Sequence, residues 1–461
     1  MHATLSDSSF AFTPSELQTI AEDVLRYARE AGADDCAVDV TEGTGLNVNV
    51  RHGEVETVEH NRDKGVALTV YIGHGLNVRR GNASTSDFSA RALKDTVAAA
   101  HAIAKFTAVD EGAGLPEAGL LQRHVADYDL YHPWKVTAEE AAELGRRGEG
   151  AAFAVSPLVR NSDGASISAQ EGQFVSANST GFMGGYPYSR HSISVAPIAS
   201  VKKTSKAMQR DDWYVSTRDP QKLPEPEAVG SYAARRALAR LGARKLSTRD
   251  APVLFEAPIA SGLLGAFAQA ASGSAIYRKA SFLTERLGSH IFSDHIDLID
   301  DPSIPGGMGS ASFDEEGVAT QRRHVVASGV LEGFFLSCYS ARKLGMQSTG
   351  NAGGSHNLQL LSHLTRPYDT FEEMLRKLDT GLLVTELMGQ GVNYVTGDYS
   401  RGATGFWVEK GEIAYPVEEI TIAGSLEKMF RGIAAVGADR IVRGNKESGS
   451  ILIDTMTIAG D

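Results

Sequence analysis

Cysteine is nearly absent: Cys36 and Cys338 are the only two in 461 residues. They stand far apart and fit no paired-cysteine spacing, which excludes a disulfide framework and a cysteine-based metal knuckle. Two free thiols in a reducing compartment are the expectation. Concentrated positive charge is missing as well. The formal net charge is -12, and lysine and arginine gather only into small groups such as Arg79–Arg80 and Lys202–Lys203. Phosphate backbones need a dense basic face, so a nucleic-acid partner is not expected. No apolar run approaches the roughly 18 residues that suggest a membrane span. The opening MHATLSDSSFAFTPSEL lacks both the basic and the apolar region of a secretory signal. The expectation is a cytoplasmic protein without membrane contact. Internal repeats and low-complexity segments are also lacking.

What is present is ordinary globular material, 42% hydrophobic and 22% charged, long enough for two or three cores. Thr13-Pro14-Ser15-Glu16 is a capping box with proline at the first helical position, and Leu17, Ile20, Val24 and Leu25 form one stripe behind it. Over 37–78 the hydrophobic period falls to two, broken by glycine turns, which predicts an antiparallel meander. A second helix is expected over 87–106, then a connecting arm over 111–133 lying on the first domain. A second capping box, Thr137 to Glu140, opens a third helix. Hydroxyl-rich strands over 158–200 suit a sheet facing a wet cavity, with a turn at Tyr186-Pro187-Tyr188. Three prolines in DPQKLPEP mark the boundary. The fold class is therefore α+β with two domains: 1–220, helices over an antiparallel meander with a middle segment at 111–220, and 221–461. The second half is expected to hold buried strands and a helix over 371–388.

Several constellations could carry chemistry. His290 and His295 are five apart, but an extended stretch would send their rings to opposite faces, no nearby glutamate or cysteine completes a metal set, and surface histidines around an edge strand are the expectation. Asp294, Asp297, Asp300 and Asp301 lack the glycine and closing glutamate of a calcium loop and read as a solvated acidic turn. Ser340-Ala341-Arg342-Lys343 satisfies Ser-x-x-Lys, in which a lysine activates a serine, or else marks a helix start or a polar strand edge. Two glycine-dense stretches stand out. One runs through Ser348, Thr349, Gly350 and Asn351, the other from Gly389, Gln390 and Gly391 to Asp398, Tyr399 and Arg401. Neither has a phosphate-loop ending. Glycine there permits either close approach of an added peptide strand or tight turns, and both readings stand.

The stretch over 251–283 organises the rest: an apolar strand, Val253 to Phe255, feeds a small-residue helix with Leu263, Leu264, Phe267, Ala270 and Ala271 on its apolar face. With GEVETVEHN, RKLST, RKASFL, YSARKLGMQSTGNAGGSHN, LLVTELMGQGV and GDYSRGATGFWVEKGEIAYPVEEITIAGSL, it resembles the TldD/PmbA family over nearly the whole chain, and within it the PmbA (TldE) branch. That resemblance implies a barrel-like β domain with helices in the second half. It also implies a two-fold dimer around an inner cavity in which unfolded peptides are cleaved, as in peptide maturation or antitoxin degradation, and a branch also called a modulator of DNA gyrase.

The catalytic branch of that family carries His-Glu-x-x-x-His and a distant cysteine on zinc. Here the frame reads Phe255-Glu256-Ala257-Pro258-Ile259-Ala260, and Ser448 stands in the neighbourhood of the cysteine. The resemblance thus implies no catalytic residue, no metal and no cofactor in this chain. Zinc is expected in a TldD-like partner, either in a heterodimer or with this chain pairing with itself, and Glu256 is expected to be a structural carboxylate. A Ser340/Lys343 hydrolase and a homodimeric binding or regulatory protein without proteolysis are the alternatives.

Overall fold

The computed structural model describes residues 9–201 and 208–460, and Lys202 and Lys203 lie outside them. The N-terminal half opens with helix α1 (Pro14–Glu30), whose Thr13/Glu16 capping box forms as the sequence predicts. Strands β1 (Asp35–Arg51), β2 (Glu54–Ile72) and β3 (Arg79–Thr85), then helices α2 (Ala90–Phe106) and α3 (Ala138–Val155), follow. Next come β4 (Val159–Asn178), β5 (Met183–Ser200), β6 (Met208–Arg210), β7 (Trp213–Thr217) and helix α4 (Pro226–Ala239). The strands form one sheet in the order β3-β2-β1-β4-β5-β6, with β7 also on β5. Every pairing in it is antiparallel.

Period-two alternation gives this sheet one apolar face, which two helix pairs cover. Leu17, Val24, Leu93 and Val97 of α1 and α2 bury Val38, Val40, Val66 and Leu68. Ala141 and Ala142 of α3, with Val229, Ala233 and Ala234 of α4, bury Val48, Val50, Ile167 and Val195. The opposite face carries Asn47, Asn49, Ser166, Ser168 and Ser194, the hydroxyl-rich surface expected from 158–200.

The second half begins with β8 (Arg249–Phe255), α5 (Ala257–Ala270), α6 (Gly273–Tyr277), β9 (Ile296–Asp301), β10 (Arg323–Ala327), β11 (Val330–Leu331) and α7 (Cys338–Leu344). It continues with β12 (Asn357–Ser362), α8 (Phe371–Leu378), β13 (Gly381–Met388), β14 (Asp398–Glu409), β15 (Glu412–Ser425) and α9 (Leu426–Arg431). The last strands are β16 (Ile433–Val436), β17 (Ile441–Arg443), β18 (Lys446–Ser448) and β19 (Ile451–Ala459). One sheet runs β11-β10-β9-β12-β18-β17; the other runs β15-β14-β13-β8-β19-β16. In the latter β15 also pairs with β19, at Thr421–Ala459 and Ile422–Ile458, so β8, β13, β14, β15 and β19 close into a five-stranded barrel. Val253, Phe255, Leu382, Val384 and Ile453 enter the main core. Leu254, Leu383, Phe406 and Leu452 pack in a smaller one with Met374, Leu375 and Leu378 of α8.

Three local expectations are corrected. The helix expected over 371–388 stops at Leu378; Asp379 takes a positive φ of 54° and residues from Gly381 turn into β13. Residues 381–385 of that strand are all buried, so no period of two betrays it. Tyr186-Pro187-Tyr188 is not a turn but part of β5, where Pro187 pairs only with Gln173 of β4, on a segment whose other edge is free of the β7 ladder. The arm over 111–133 does not lie on the first domain alone. Arg342 of α7 donates to the carbonyls of Gly112, Gly114 and Leu115, and Ser312 accepts from the Ala126 amide. The arm therefore stitches the two halves together.

Candidate functional site

The six-residue frame spans the junction between β8 and α5. Phe255 and Ala260 are fully buried in the main core and offer no lone pair to a metal. Glu256 lies between them at the start of α5, with Pro258 in the first turn, and its own amide donates to the Val384 carbonyl at 3.1 Å. Its two carboxylate oxygens accept from the two terminal nitrogens of Arg236, at 2.6 and 3.0 Å. This is the fork-on-fork geometry in which a guanidinium binds a carboxylate most strongly.

Arg236 comes from α4 and reaches further. Its Nε donates to Asp211 at 3.1 Å, and its guanidinium stands 5.4 Å from the Trp213 ring centre. One helical turn on, Arg240 donates to the other Asp211 oxygen at 3.4 Å, to the Arg210 carbonyl at 2.8 Å, and to Glu386 of β13. Burial works against the Arg236 charge, but its bonds to Glu256 and Asp211 outweigh that, and the pKa rises. Burial pushes the pKa of neighbouring Asp212 up, and that of Arg443, stacked on Trp213 and Tyr214, down. The frame is thus closed by an ion-pair network joining the N-terminal helices to the barrel. Sequence reasoning missed Arg236, Arg240, Asp211 and Glu386. The spacing of Arg236 and Arg240, four apart on a helix otherwise rich in buried alanine, was the signal that carboxylates would meet them.

Ser448, at the end of β18, is fully buried and donates its hydroxyl to the Gly449 carbonyl at 2.8 Å. Lys446, two residues earlier, lies against α5, its Cε 3.6 Å from where a Cβ on Gly265 would sit. Burial lowers its pKa, and its ammonium donates to Asn445. Of the three frame positions only Glu256 carries a donor, and both its oxygens are taken by Arg236, while the Asp211 and Glu386 carboxylates are bound by Arg236 and Arg240; among the described residues that arrangement does not fit zinc.

The two glycine stretches have different surroundings. Around 348–354 nearly every polar atom is spoken for. Asn351 is 3% exposed; it donates to Asp300 and the Gly354 carbonyl, both at 2.9 Å, and accepts from Arg323 at 3.0 Å and from Thr349 at 2.8 Å. Ser348 donates to the Leu336 carbonyl, Thr349 accepts the Leu336 amide, and the His356 ring meets the Gly350 carbonyl. Asp314 holds the Ala352 amide; burial pushes its carboxyl up to about 6.

The loop between β13 and β14 is open. Gly389, Gln390, Gly391 and Asp398 are exposed and Arg401 is half-buried. Gly389 and Gly397 have φ of +78° and +81°, and a Cβ on Gly391 would come 1.7 Å from the Ser400 carbonyl oxygen. These glycines serve the loop's own turns and close approach. Beneath them Tyr399 is buried, with its hydroxyl beside the Arg401 side chain. Burial pushes the phenol up to about 12.

The remaining candidates separate. Ser340 is the third residue of α7, sharing a capping box with Ser337, while Lys343 pairs with Asp110 at 2.9 Å. That hydrogen bond raises the lysine's pKa, which keeps it protonated rather than basic. His295 bonds Ser362 and the Ile433 carbonyl, whereas His290 is exposed beside Asp294. The four aspartates do not form one solvated turn. Asp297 binds His363, Asp301 binds Arg322, and Asp300 is fully buried under Asn351. A cleft of about 670 Å³ lies elsewhere, between the β2–β3 turn and the connecting arm, lined by Tyr71, His74, Leu76, Leu115 and Arg342. Of the Ser-x-x-Lys motif it holds Arg342, but neither Ser340 nor Lys343.

Comparison with known proteins places this geometry among relatives. Family models described as PmbA/TldA metallopeptidase domain 1, central domain and C-terminal domain match residues 36–104, 131–241 and 248–460. Metalloprotease PmbA of Escherichia coli O157:H7 is 44% identical over 96% of each chain. The Metalloprotease PmbA homolog of Haemophilus influenzae is 43% identical, covering 97% of this chain and 96% of its own. The same organism's Metalloprotease TldD homolog is 25% identical over 40% of this chain and 38% of its own. Among solved structures, TldE from Thermococcus kodakarensis superposes with a TM-score of 0.82 at 20% identity, over 96% of this chain and 100% of its own. At that identity the likeness speaks for the fold alone.

Proposed function

The chain belongs to the PmbA/TldD metallopeptidase family, and from that premise we propose that it is the PmbA/TldE-type subunit of a two-subunit peptidase, the one that holds peptide while its partner holds zinc. The observation carrying this reading is the state of the six-residue frame. Two of its side chains cannot donate to a metal, and the carboxylate between them is bound by both arms of Arg236. Glu256 then has no water to activate, and its role is to join α4 to the barrel.

The partner in this reading is a TldD-like subunit bearing His-Glu-x-x-x-His. It is supported by the occurrence of a PmbA homologue and a TldD homologue in one organism, H. influenzae. The substrate is an unfolded peptide in the cytoplasm. Of the two glycine stretches, the loop from Gly389 to Arg401 is the one with exposed backbone to offer, and we assign peptide contact to it. Residues 348–351 position the surrounding strands.

The test is to purify the chain and a TldD-like subunit separately and assay an unstructured peptide. The reading expects no cleavage by this chain alone, a stable complex on mixing, and cleavage that requires both. A TldD-like subunit that neither binds this chain nor gains activity from it would overturn the reading in favour of a binding protein without proteolysis.

A further inference from the structure

The cleft of about 670 Å³ beside the β2–β3 turn is used by none of the chemistry above. Its size falls within the range of small-ligand pockets, roughly 300 to 1,000 Å³. Three parts of the chain line it: the sheet end at Asp35 and Tyr71 with the turn after β2, the connecting arm from Glu111 to Pro116, and Arg342 of α7. An occupant therefore touches both halves of the chain at once.

The lining holds groups of three kinds. The first is carboxylate. Asp35 accepts from the Ser179 hydroxyl at 2.7 Å and forms no ion pair among the described residues. Glu111 is exposed and has only a share of Lys343, 3.5 Å away, which Asp110 holds at 2.9 Å. The second kind is donor. Tyr71 stands opposite Asp35 in the β1–β2 ladder, which puts the two side chains on one face of the sheet. Burial pushes its phenol up to about 12, so it keeps its proton, and its hydroxyl has no hydrogen-bond partner among the described residues. The Arg342 guanidinium is fixed by the carbonyls of Gly112, Gly114 and Leu115, which leaves part of its donor fork free. His74, the other basic group on the lining, is beside Asp34 at 3.4 Å. The third kind is apolar: Leu76, 70% exposed, with Leu115 and Pro116.

Unspent carboxylates, a neutral hydroxyl donor, a half-used guanidinium and an apolar wall in one cleft match a zwitterion with an apolar side chain. An inorganic anion would be repelled by the two carboxylates, and a plain hydrocarbon would bury polar groups unpaired. We propose that this cleft binds a short peptide with free ends: its terminal ammonium at Asp35 and Glu111, its terminal carboxylate at Arg342 and Tyr71, and an apolar side chain against Leu76, Leu115 and Pro116. Because sheet, arm and α7 all contribute, the bound peptide stabilises the docking of the two halves. The cleft shares no residue with the loop from Gly389 to Arg401. It needs neither zinc nor a partner subunit, so its failure and the failure of the functional reading are separate results.

Calorimetric titration of the full chain with the tripeptide leucyl-glycyl-glycine tests it, with folding of each variant checked by circular dichroism. The expected result is saturable binding with a Kd of about 1 mM or tighter, accompanied by a rise in melting temperature. Acetylating the peptide's amine or amidating its carboxyl should each weaken binding about tenfold. Asp35→Asn should weaken it about tenfold as well, and Leu76→Ser about threefold or more. No binding at about 10 mM peptide would overturn the proposal. So would binding that ignores both blocked peptides and both cleft variants, including binding lost only in Gln390→Ala, which would put the tripeptide at the glycine loop instead.

Discussion

The glycine-rich stretches 348–354 and 389–397 have similar compositions and lie in the same half of the chain, yet the first is stitched shut from inside and the second stands in solvent. In the first, Asn351, Thr349 and Ser348 spend their hydrogen bonds on Asp300, Arg323 and Leu336. In the second, glycine lets the loop turn over Ser400, and the exposed groups of Gln390 and Asp398 remain on the surface. The difference teaches that glycine density marks where backbones crowd, and that side-chain partners decide whether a segment is a clasp or a contact surface. Glu256 falls on the clasp side: a carboxylate in a catalytic position by frame, used here to hold two domains' elements together.

If that division is right, breaking the sealed sites costs stability and breaking the open one costs only activity. The largest effect is expected for Arg236→Ala. It strands Glu256, about 12% exposed, without its fork and strips one partner from Asp211. A loss of about 3 kcal/mol in urea unfolding is expected. Asn351→Ala follows at about 2 kcal/mol, since it leaves Asp300 and Arg323 each short of a buried partner.

A pH series sharpens the comparison at the same clasp. Burial raises the Asp314 carboxyl from 3.8 in the unfolded chain to about 6 in the fold. A raised carboxyl binds its proton more tightly when folded, so its cost is absent below the unfolded value, accumulates as pH rises from about 4 to 6, and is constant above. Against wild type, Asp314→Asn should therefore lose less stability across that window, read as the slope of melting temperature with pH. The smallest effect on stability is expected for Gln390→Ala, within about 0.5 kcal/mol, accompanied by a fall in peptide cleavage by the mixed complex. Loss of stability with unchanged cleavage would erase the distinction between the two stretches.

The capping boxes at Thr13 and Thr137, the meander and the β8–α5 junction were legible because local chemistry and period specify them. β13 was not, since a strand buried on both sides alternates nothing and abuts a helix without a proline or paired glycines between them. The arm was misplaced because its partners, Ser312 and Arg342, lie about 190 to 230 residues away in sequence. In the site, the missing donors at Phe255 and Ala260 were plain from residue identity. What Glu256 does instead depends on Arg236 and Asp211, which only the packing of α4 on the barrel brings to it.

The central claim is that this chain has no metal chemistry of its own. The most direct test is zinc content by elemental analysis of the purified chain alone, together with its cleavage of an unstructured peptide with and without a chelator. The account predicts well under one zinc per chain and no chelator-sensitive cleavage. One zinc per chain with cleavage that a chelator abolishes would contradict it.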